Sequence, residues 1–535
     1  MGPIATDTHD FPRIRNEGCI YVDKTMYMHR LISTVGTKLY FVARPRRFGK
    51  SLTISALKAL FSGRRELFEG LYIDKTDWKW EKYPIIHFEF NDLTTTSVEE
   101  FRQNLENHVR ERLNEAGYAY DRSLSAHENF GKAIETLSAA NGGKGVVILV
   151  DEYDAPVGHC LDDIAKAEAV RERLSVVYSQ MKNRTGDIRF LLMTGVSKFT
   201  RLSVFSALNN IVDVSQKDEY ATMFGYTEEE LSANFEEHLR AHAKIMGRSY
   251  EDYRAKMKRW YNGFRFSPDD ETTVYNPISV AYTLAAKSKT GFSATWAATG
   301  RSSMLMNYLK REEVLDVNPE RMEGIDAAEF DVAELRHLRP VAMFLQAGYL
   351  TIKDYDPDDQ SYTLGVPDEE VRRDLCMLLT GVAADETMAW AASLGKKLLA
   401  GKWDAVSIGL RALYARLPYG SKEGYVHEYS YERILCTLLA SQGVTCHAEA
   451  IQSNGRADVV AEHMKGVFIF ELKVDEPVDK AFRQIRAKKY AEPHLASGKP
   501  IWLIGLSFDS KTRHLVDFAA ERADLTCPPN PLTPS

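Results

Sequence analysis

Four short apolar runs punctuate the first two hundred residues: Lys38–Ala43, Pro84–Phe90, Gly145–Val150 and Ile188–Thr194. Between them, apolar positions recur at helical spacing, which predicts helices over 51–61, 98–115 and 165–183. Strands this apolar, alternating with helices, predict a parallel sheet covered on both faces. From about 225 the texture changes to charged amphipathic helices, 227–246 and 252–261, with more helix between about 277 and 415. One hairpin interrupts them: 349–352 and 361–364 flank Asp356-Pro357-Asp358-Asp359. Near 418 the pattern mixes again. It predicts a helix over 429–442, strands over 444–452, 457–462 and 466–473, a helix over 478–490 and a strand over 500–508. The chain closes on Cys527-Pro528-Pro529-Asn530-Pro531, a tail composition.

This divides the 535 residues into an α/β domain over 1–220, a mostly helical middle over 221–415, a second α/β domain over 416–520 and a flexible tail over 521–535. With 44% hydrophobic and 27% charged residues the chain is of ordinary globular composition, not collagenous or wholly disordered. Its net charge of −7 excludes a uniformly basic nucleic-acid coat protein, so any such binding must use local patches. The six cysteines have no CxxC spacing, which suggests neither a zinc site nor a disulfide framework. No run is long enough to span a bilayer, and Met1–Phe11 lacks the basic start and apolar stretch of a signal peptide. The expectation is a cytoplasmic protein without membrane contact.

Chemistry enters where the first apolar run ends. Arg44-Pro45-Arg46-Arg47-Phe48-Gly49-Lys50-Ser51 joins a predicted strand to a predicted helix. It keeps the Gly-Lys-Ser of the phosphate-binding loop but has Arg44 at the first glycine. Backbone N–H groups from Arg46 to Leu52 at a helix start suit a polyphosphate. Lys50 is expected between the β- and γ-phosphates, with Ser51 on Mg²⁺. The third run enters Asp151-Glu152-Tyr153-Asp154, the arrangement in which Asp151 holds Mg²⁺ and Glu152 deprotonates the attacking water. The fourth run ends in Thr194-Gly195-Val196-Ser197-Lys198, so Thr194 and Ser197 are candidate sensors of the γ-phosphate. Arg201, Arg259, Arg265 and Arg301 are four candidate nucleotide-contacting arginines, and nothing in the sequence chooses among them.

Together with Tyr21-Val22-Asp23-Lys24-Thr25, Tyr261-Asn262-Gly263-Phe264-Arg265-Phe266 and Asn276-Pro277, these motifs resemble the bacterial AAA-ATPase-like family, which is often fused to a PD-(D/E)XK nuclease domain. That family's loop also lacks the first glycine. The resemblance implies an ASCE-type P-loop core that binds Mg-ATP, with Tyr21–Thr25 near the nucleotide.

The last domain carries a second constellation. Asp458, then twelve residues, then Glu471-Leu472-Lys473 has the spacing of a PD-(D/E)XK core. Two carboxylates on adjacent strands repel unless a divalent cation lies between them, here Mg²⁺ or Mn²⁺. Glu471 and Lys473 share a strand face, so Lys473 can position or deprotonate the water. The resemblance extends to Glu428, Glu449, Gly455-Arg456-Ala457-Asp458, Gln484 and Tyr490. It implies Glu428 as a further metal acid, with Glu432 as its competitor, and Gln484 facing the metal. Lys480, Arg483, Arg486, Lys488 and Lys489 make the following helix basic, suited to a phosphate backbone.

The reading is an ATP-hydrolysing protein coupled to a metal-dependent nuclease acting on DNA, with RNA as the second choice. Its rivals are a nucleotide-regulated scaffold or switch whose nuclease-like fold binds without cutting, and an ATPase that remodels protein partners. Oligomeric state is left open.

Overall fold

The computed structural model describes residues 2–93, 96–198, 210–286, 292–293, 303–311, 322–330, 335–380, 394–414, 431–432, 435–436, 439, 444–452, 455–512 and 514–523. The chain forms two compact units, the first ending at Val371 and the second starting at Arg372.

The first unit is built on β1 (Leu39–Ala43), β2 (Ile85–Glu89), β3 (Val146–Asp151), β4 (Ile188–Gly195) and β5 (Val212–Asp213). They form one sheet in the order β2-β3-β4-β1-β5, every neighbouring pair parallel. All six residues of β3 are buried, because helices cover the sheet: Lys50–Phe61 and Ala126–Ala140 pack on β3, and Val98–Glu115 packs on β2. Each fully buried Val, Ile or Leu contributes about 1.5–3 kcal/mol relative to exposure. β4 lies between β1 and β3, so the loop-bearing strand and the acid-bearing strand are not neighbours. Ala43 pairs with Gly195, Val150 with Met193 and Glu89 with Asp151. The carboxyl ends of β1, β2, β3 and β4 therefore meet at one edge, where ligands of open α/β sheets bind.

Residues beyond 220 continue this unit. Glu228–Ile245 and Tyr250–Tyr261 are helices closed around Leu231, Phe235, Leu239, Tyr253 and Trp260. β6 (Asn262–Phe264) pairs antiparallel with β7 (Val274–Tyr275), and the helix Pro277–Ala285 follows. β8 (Met322–Asp326), β9 (Thr351–Asp356) and β10 (Ser361–Gly365) make an antiparallel sheet in the order β8-β10-β9. The predicted hairpin is the β9–β10 pair, with Ser361 opposite Asp356.

The second unit holds β11 (Thr445–Gln452), β12 (Gly455–His463), β13 (Gly466–Val474), β14 (Ile501–Phe508) and β15 (Leu515–Arg522), in that order across one sheet. Only β13 and β14 are parallel, and the helix Val478–Ala487 makes the crossover their parallel pairing requires. Gly505 lets this helix approach: a Cβ there would lie 2.6 Å from Val478 Cγ2. β15 is a strand the sequence pattern did not single out; it covers the last residues of the domain drawn over 416–520 and enters the expected tail at Glu521 and Arg522. Of the predicted helix 429–442, the described positions 431–432, 435–436 and 439 are helical.

Candidate nucleotide and nuclease sites

The loop after β1 turns through left-handed backbone at Arg47 (φ 72°) and Gly49 (φ 99°) before the helix starts at Lys50. Glycine adopts that conformation without strain. No side chain caps this helix, which leaves its first-turn N–H groups for an anion. Lys50 is buried and donates to the carbonyls of Arg44 and Pro45 at 2.8 and 2.9 Å. Burial lowers its pKa, while Glu152, Asp151 and Asp154, in that order of influence, oppose the shift.

Arg44 has a different task from its neighbours. It is almost fully buried, and its guanidinium donates to the carbonyls of Ala43, Ser215 and Tyr220 while lying 4.2 Å from the Phe266 ring centroid. It braces the loop from beneath. Phe48 is buried against Phe264 and Phe266, with ring centroids 4.7 and 5.3 Å apart.

At the end of β3, Asp151 accepts the Thr194 hydroxyl at 2.5 Å. Glu152 follows in left-handed backbone (φ 52°), a strained state for a residue with a side chain. Its carboxyl is mostly buried, Oε2 has no hydrogen-bond partner among the described residues, and burial raises its pKa against the pull of Lys50. Asp154 turns inward and accepts from Ser197 N at 2.7 Å and from its hydroxyl at 2.5 Å. Gly195 is required here, since a Cβ would come within 2.6 Å of both Asp154 Oδ1 and the Tyr153 ring.

A cleft of about 420 Å³ opens over the loop. Arg46, Arg47, Phe48, Gly49, Lys50, Ser51, Leu52 and Glu152 line its polar end. Ile20, Val22, Phe224, Tyr226, Ile278 and Ala281 line the other, an apolar wall suited to a base. Asp151 lines an adjoining cleft of about 370 Å³, and Ser51 and Glu89 border both. The donor set fits a nucleotide triphosphate with a divalent cation: an uncapped helix start, a buried lysine, a hydroxyl and an orphaned buried carboxylate oxygen.

In the second unit, the β12–β13 register pairs Val459 with Phe470. Continued by one step, it sets Asp458 opposite Glu471. Glu471 is fully buried; Lys473 Nζ lies 2.8 Å from its Oε1 and also donates to the carbonyl of Leu472 at 2.8 Å. Asp458 is half-buried and accepts from Leu472 N at 2.6 Å. Val467 and Ile469, which share Glu471's face of β13, pack against the helix Val478–Ala487. The Asp458, Glu471 and Lys473 side chains therefore share the helix side of the sheet. Gln484 sits on that helix, half-buried, and hydrogen-bonds the Tyr490 side chain. Two carboxylates and an ammonium on one face suit a divalent cation and a water.

Residues 3–205 match the family described as Predicted AAA-ATPase, and residues 426–518 match the PD-(D/E)XK nuclease superfamily. A protein of Azotobacter chroococcum mcd 1 named "Uncharacterized protein in vnfD 5'region" is 33% identical over 537 aligned positions, covering 97% of this chain and 98% of that one. The chain belongs to the AAA-ATPase-like family with a C-terminal nuclease-superfamily domain.

Within this AAA-ATPase-like protein several sequence-predicted residues lie elsewhere than expected. Thr194 and Ser197 are fully buried and face acids, Asp151 and Asp154, instead of the cleft. Arg265 is buried and bound to the carbonyls of Ser267 at 2.9 Å and Asp270 at 3.1 Å, a structural clamp. Arg259 is exposed, 3.8 Å from Glu369. Arg201, Arg301 and Glu428 lie outside the described residues. Glu432 is buried, and among the described residues no third Asp, Glu, His or Cys joins Asp458 and Glu471. Tyr21, Val22 and Lys24 line the cleft, but Lys24 is spent on Glu230 at 2.6 Å, and Asp23 holds Thr25 and the N–H of Tyr72. Sequence reasoning missed Glu89 and Asn91. Their signal was their place at and just beyond the carboxyl end of β2, the strand next to the one that carries Asp151.

Proposed function

We propose that the first unit binds and hydrolyses ATP with Mg²⁺, and that the second cleaves phosphodiesters of DNA, with RNA as the second substrate class, using Mg²⁺ or Mn²⁺. What carries the reading is a buried lysine set beside acids in each unit: Lys50 near Glu152 and Asp151, and Lys473 against Glu471. At the first site the loop N–H groups, Arg46 and Lys50 hold the phosphates, and Ser51 and Asp151 hold the cation. Glu152 takes the proton of the attacking water, a role its raised pKa suits. At the second, Asp458 and Glu471 hold the cation, and Lys473 orients the water. Each bound cation supplies charge stabilisation at the phosphate oxygens. The activities are coupled, so that nucleotide changes the rate of cutting.

The test uses the full chain with Mn²⁺ on a panel of DNA and RNA substrates, together with ATP turnover. Lys473→Ala should abolish cutting and spare turnover, and Lys50→Ala should abolish turnover and the nucleotide effect on cutting. Wild type and Lys473→Ala behaving alike across the panel would overturn the nuclease assignment.

A further inference from the structure

The sensor positions on β4 are closed. Thr194 and Ser197 are fully buried, and their hydroxyls are given to Asp151 and Asp154. The strand on the other side of β3 is open. β2 ends in Glu89, which is exposed and pairs in the sheet with Asp151. Paired positions on neighbouring strands lie about 4.8 Å apart and send their side chains to the same face. His87, Glu89 and Asp151 accordingly line one cleft together.

The two cleft linings give these groups an order. Asp151 borders only the adjoining cleft, Glu89 and Ser51 border both, and Asn91 and Glu152 border only the cleft over the phosphate loop. Glu89 and Ser51 therefore stand at the divide, between Asp151 and the place of the triphosphate. Neither of their side chains makes a hydrogen bond or ion pair with a described residue. Asp151, by contrast, has Oδ1 engaged by Thr194, and the Lys50 ammonium is turned to two carbonyls.

Two carboxylates this close on one face repel each other, and a triphosphate brought beside them adds to the repulsion, unless a cation lies between. Among the described residues no group of three Asp, Glu, His or Cys could hold a metal by itself. Two carboxylates and a hydroxyl suit a cation that arrives with the triphosphate and keeps part of its water.

We propose that Glu89 is a second carboxylate for the cation of the nucleotide complex, accepting hydrogen bonds from the cation's bound water while Asp151 and Ser51 hold the cation. This role of Glu89 rests on the nucleotide reading of the first unit. It puts the polar groups that meet the reacting end of the nucleotide on the β2 side of β3, not on the β4 side.

The experiment titrates a fluorescent, non-hydrolysable ATP analogue into the full chain, in EDTA and in Mg²⁺. In wild type Mg²⁺ should tighten binding. Glu89→Gln should lose about tenfold of that tightening, the lower end of what a hydrogen bond to a charged group supplies, since the site is open to solvent. In EDTA the same variant should bind as tightly as wild type or more tightly, because it removes a negative charge facing the phosphates. Glu89→Asp should recover part of the tightening. Asp92→Asn removes a nearby charge from a residue that borders neither cleft, and should leave the tightening unchanged. A Glu89→Gln protein with the full wild-type tightening, or with the same loss in both media, overturns the role of Glu89 alone, as does a wild type indifferent to Mg²⁺. A wild type that binds the analogue in neither medium overturns the nucleotide reading and the role of Glu89 with it.

Discussion

The Thr194 hydroxyl, carried on β4, lies 2.5 Å from Asp151 Oδ1 at the end of β3. The bond crosses between adjacent strands and fixes the carboxylate that borders Ser51. Thr194→Val keeps the shape and removes the donor. A hydrogen bond to a charged group is worth about 1.5–3 kcal/mol, so steady-state ATP turnover should fall roughly 10- to 100-fold. Nucleotide binding without divalent cation should be unchanged. A turnover equal to wild type would show that Asp151 needs no help from its neighbour.

Glu152 is raised in pKa chiefly by burial. A base must be ionised to act, so the acid limb of kcat/KM should lie above the ordinary glutamate range. Glu152→Gln should hold ATP within a few-fold of wild type, lower turnover by about 10²–10⁴ and remove that limb. The pH–rate profile of wild type and variant checks both points.

His87 and His108 are both pushed down to about 4 by burial, and neither Nε2 has a hydrogen-bond partner among the described residues. Lys58 and Arg112 reinforce the shift at His87, with Asp151 and Glu115 opposing; Arg112 and His87 reinforce it at His108. In the unfolded chain these imidazoles protonate near 6.5. The fold favours their neutral forms, so the stability they contribute is intact above about pH 6.5 and is lost as pH falls towards 4. Urea midpoints should drop across that window, and the double variant His87→Gln with His108→Gln should drop less steeply. Parallel curves would assign the acid sensitivity to other groups.

Gly195→Ala should cost about 1–3 kcal/mol, because the new methyl meets Asp154 and the Tyr153 ring at 2.6 Å. The denaturant midpoint reads this directly. Turnover should fall with it, since relief of the clash displaces the Asp151–Asp154 turn.

The strands were legible wherever both faces are buried. β1, β3 and β4 are continuous apolar runs, and β12 to β14 carry enough Val, Ile and Phe to stand out. β5 was not legible, because two residues pairing with Tyr40 and Phe41 leave no periodicity. β15 was missed because it is an edge strand with little fully buried surface, and its Asp517, Glu521 and Arg522 break up its apolar positions. The helix Ala126–Ala140 did carry a signal, the capping box of Ser125 and Glu128.

At the sites, residue type indicated chemistry more readily than direction. Lys50, Glu152, Asp458, Glu471 and Lys473 are named by local spacing alone. Whether an arginine meets solvent or a carbonyl depends on partners far along the chain: Arg44 on Ser215 and Tyr220, Arg265 on the carbonyl of Lys353. No local pattern encodes those distances. The same holds for Ser197, whose acid lies 43 residues upstream.

The brace at Arg44 has a consequence for anyone wishing to repair this motif towards the familiar glycine-first consensus. Substituting glycine there would not improve the grip on phosphate. It would hollow out the floor on which the loop rests, strand three carbonyls in a dry interior and slacken the corner from which Lys50 hangs. In this chain the departure from consensus is the keystone, and a search that demands the glycine passes over such a loop.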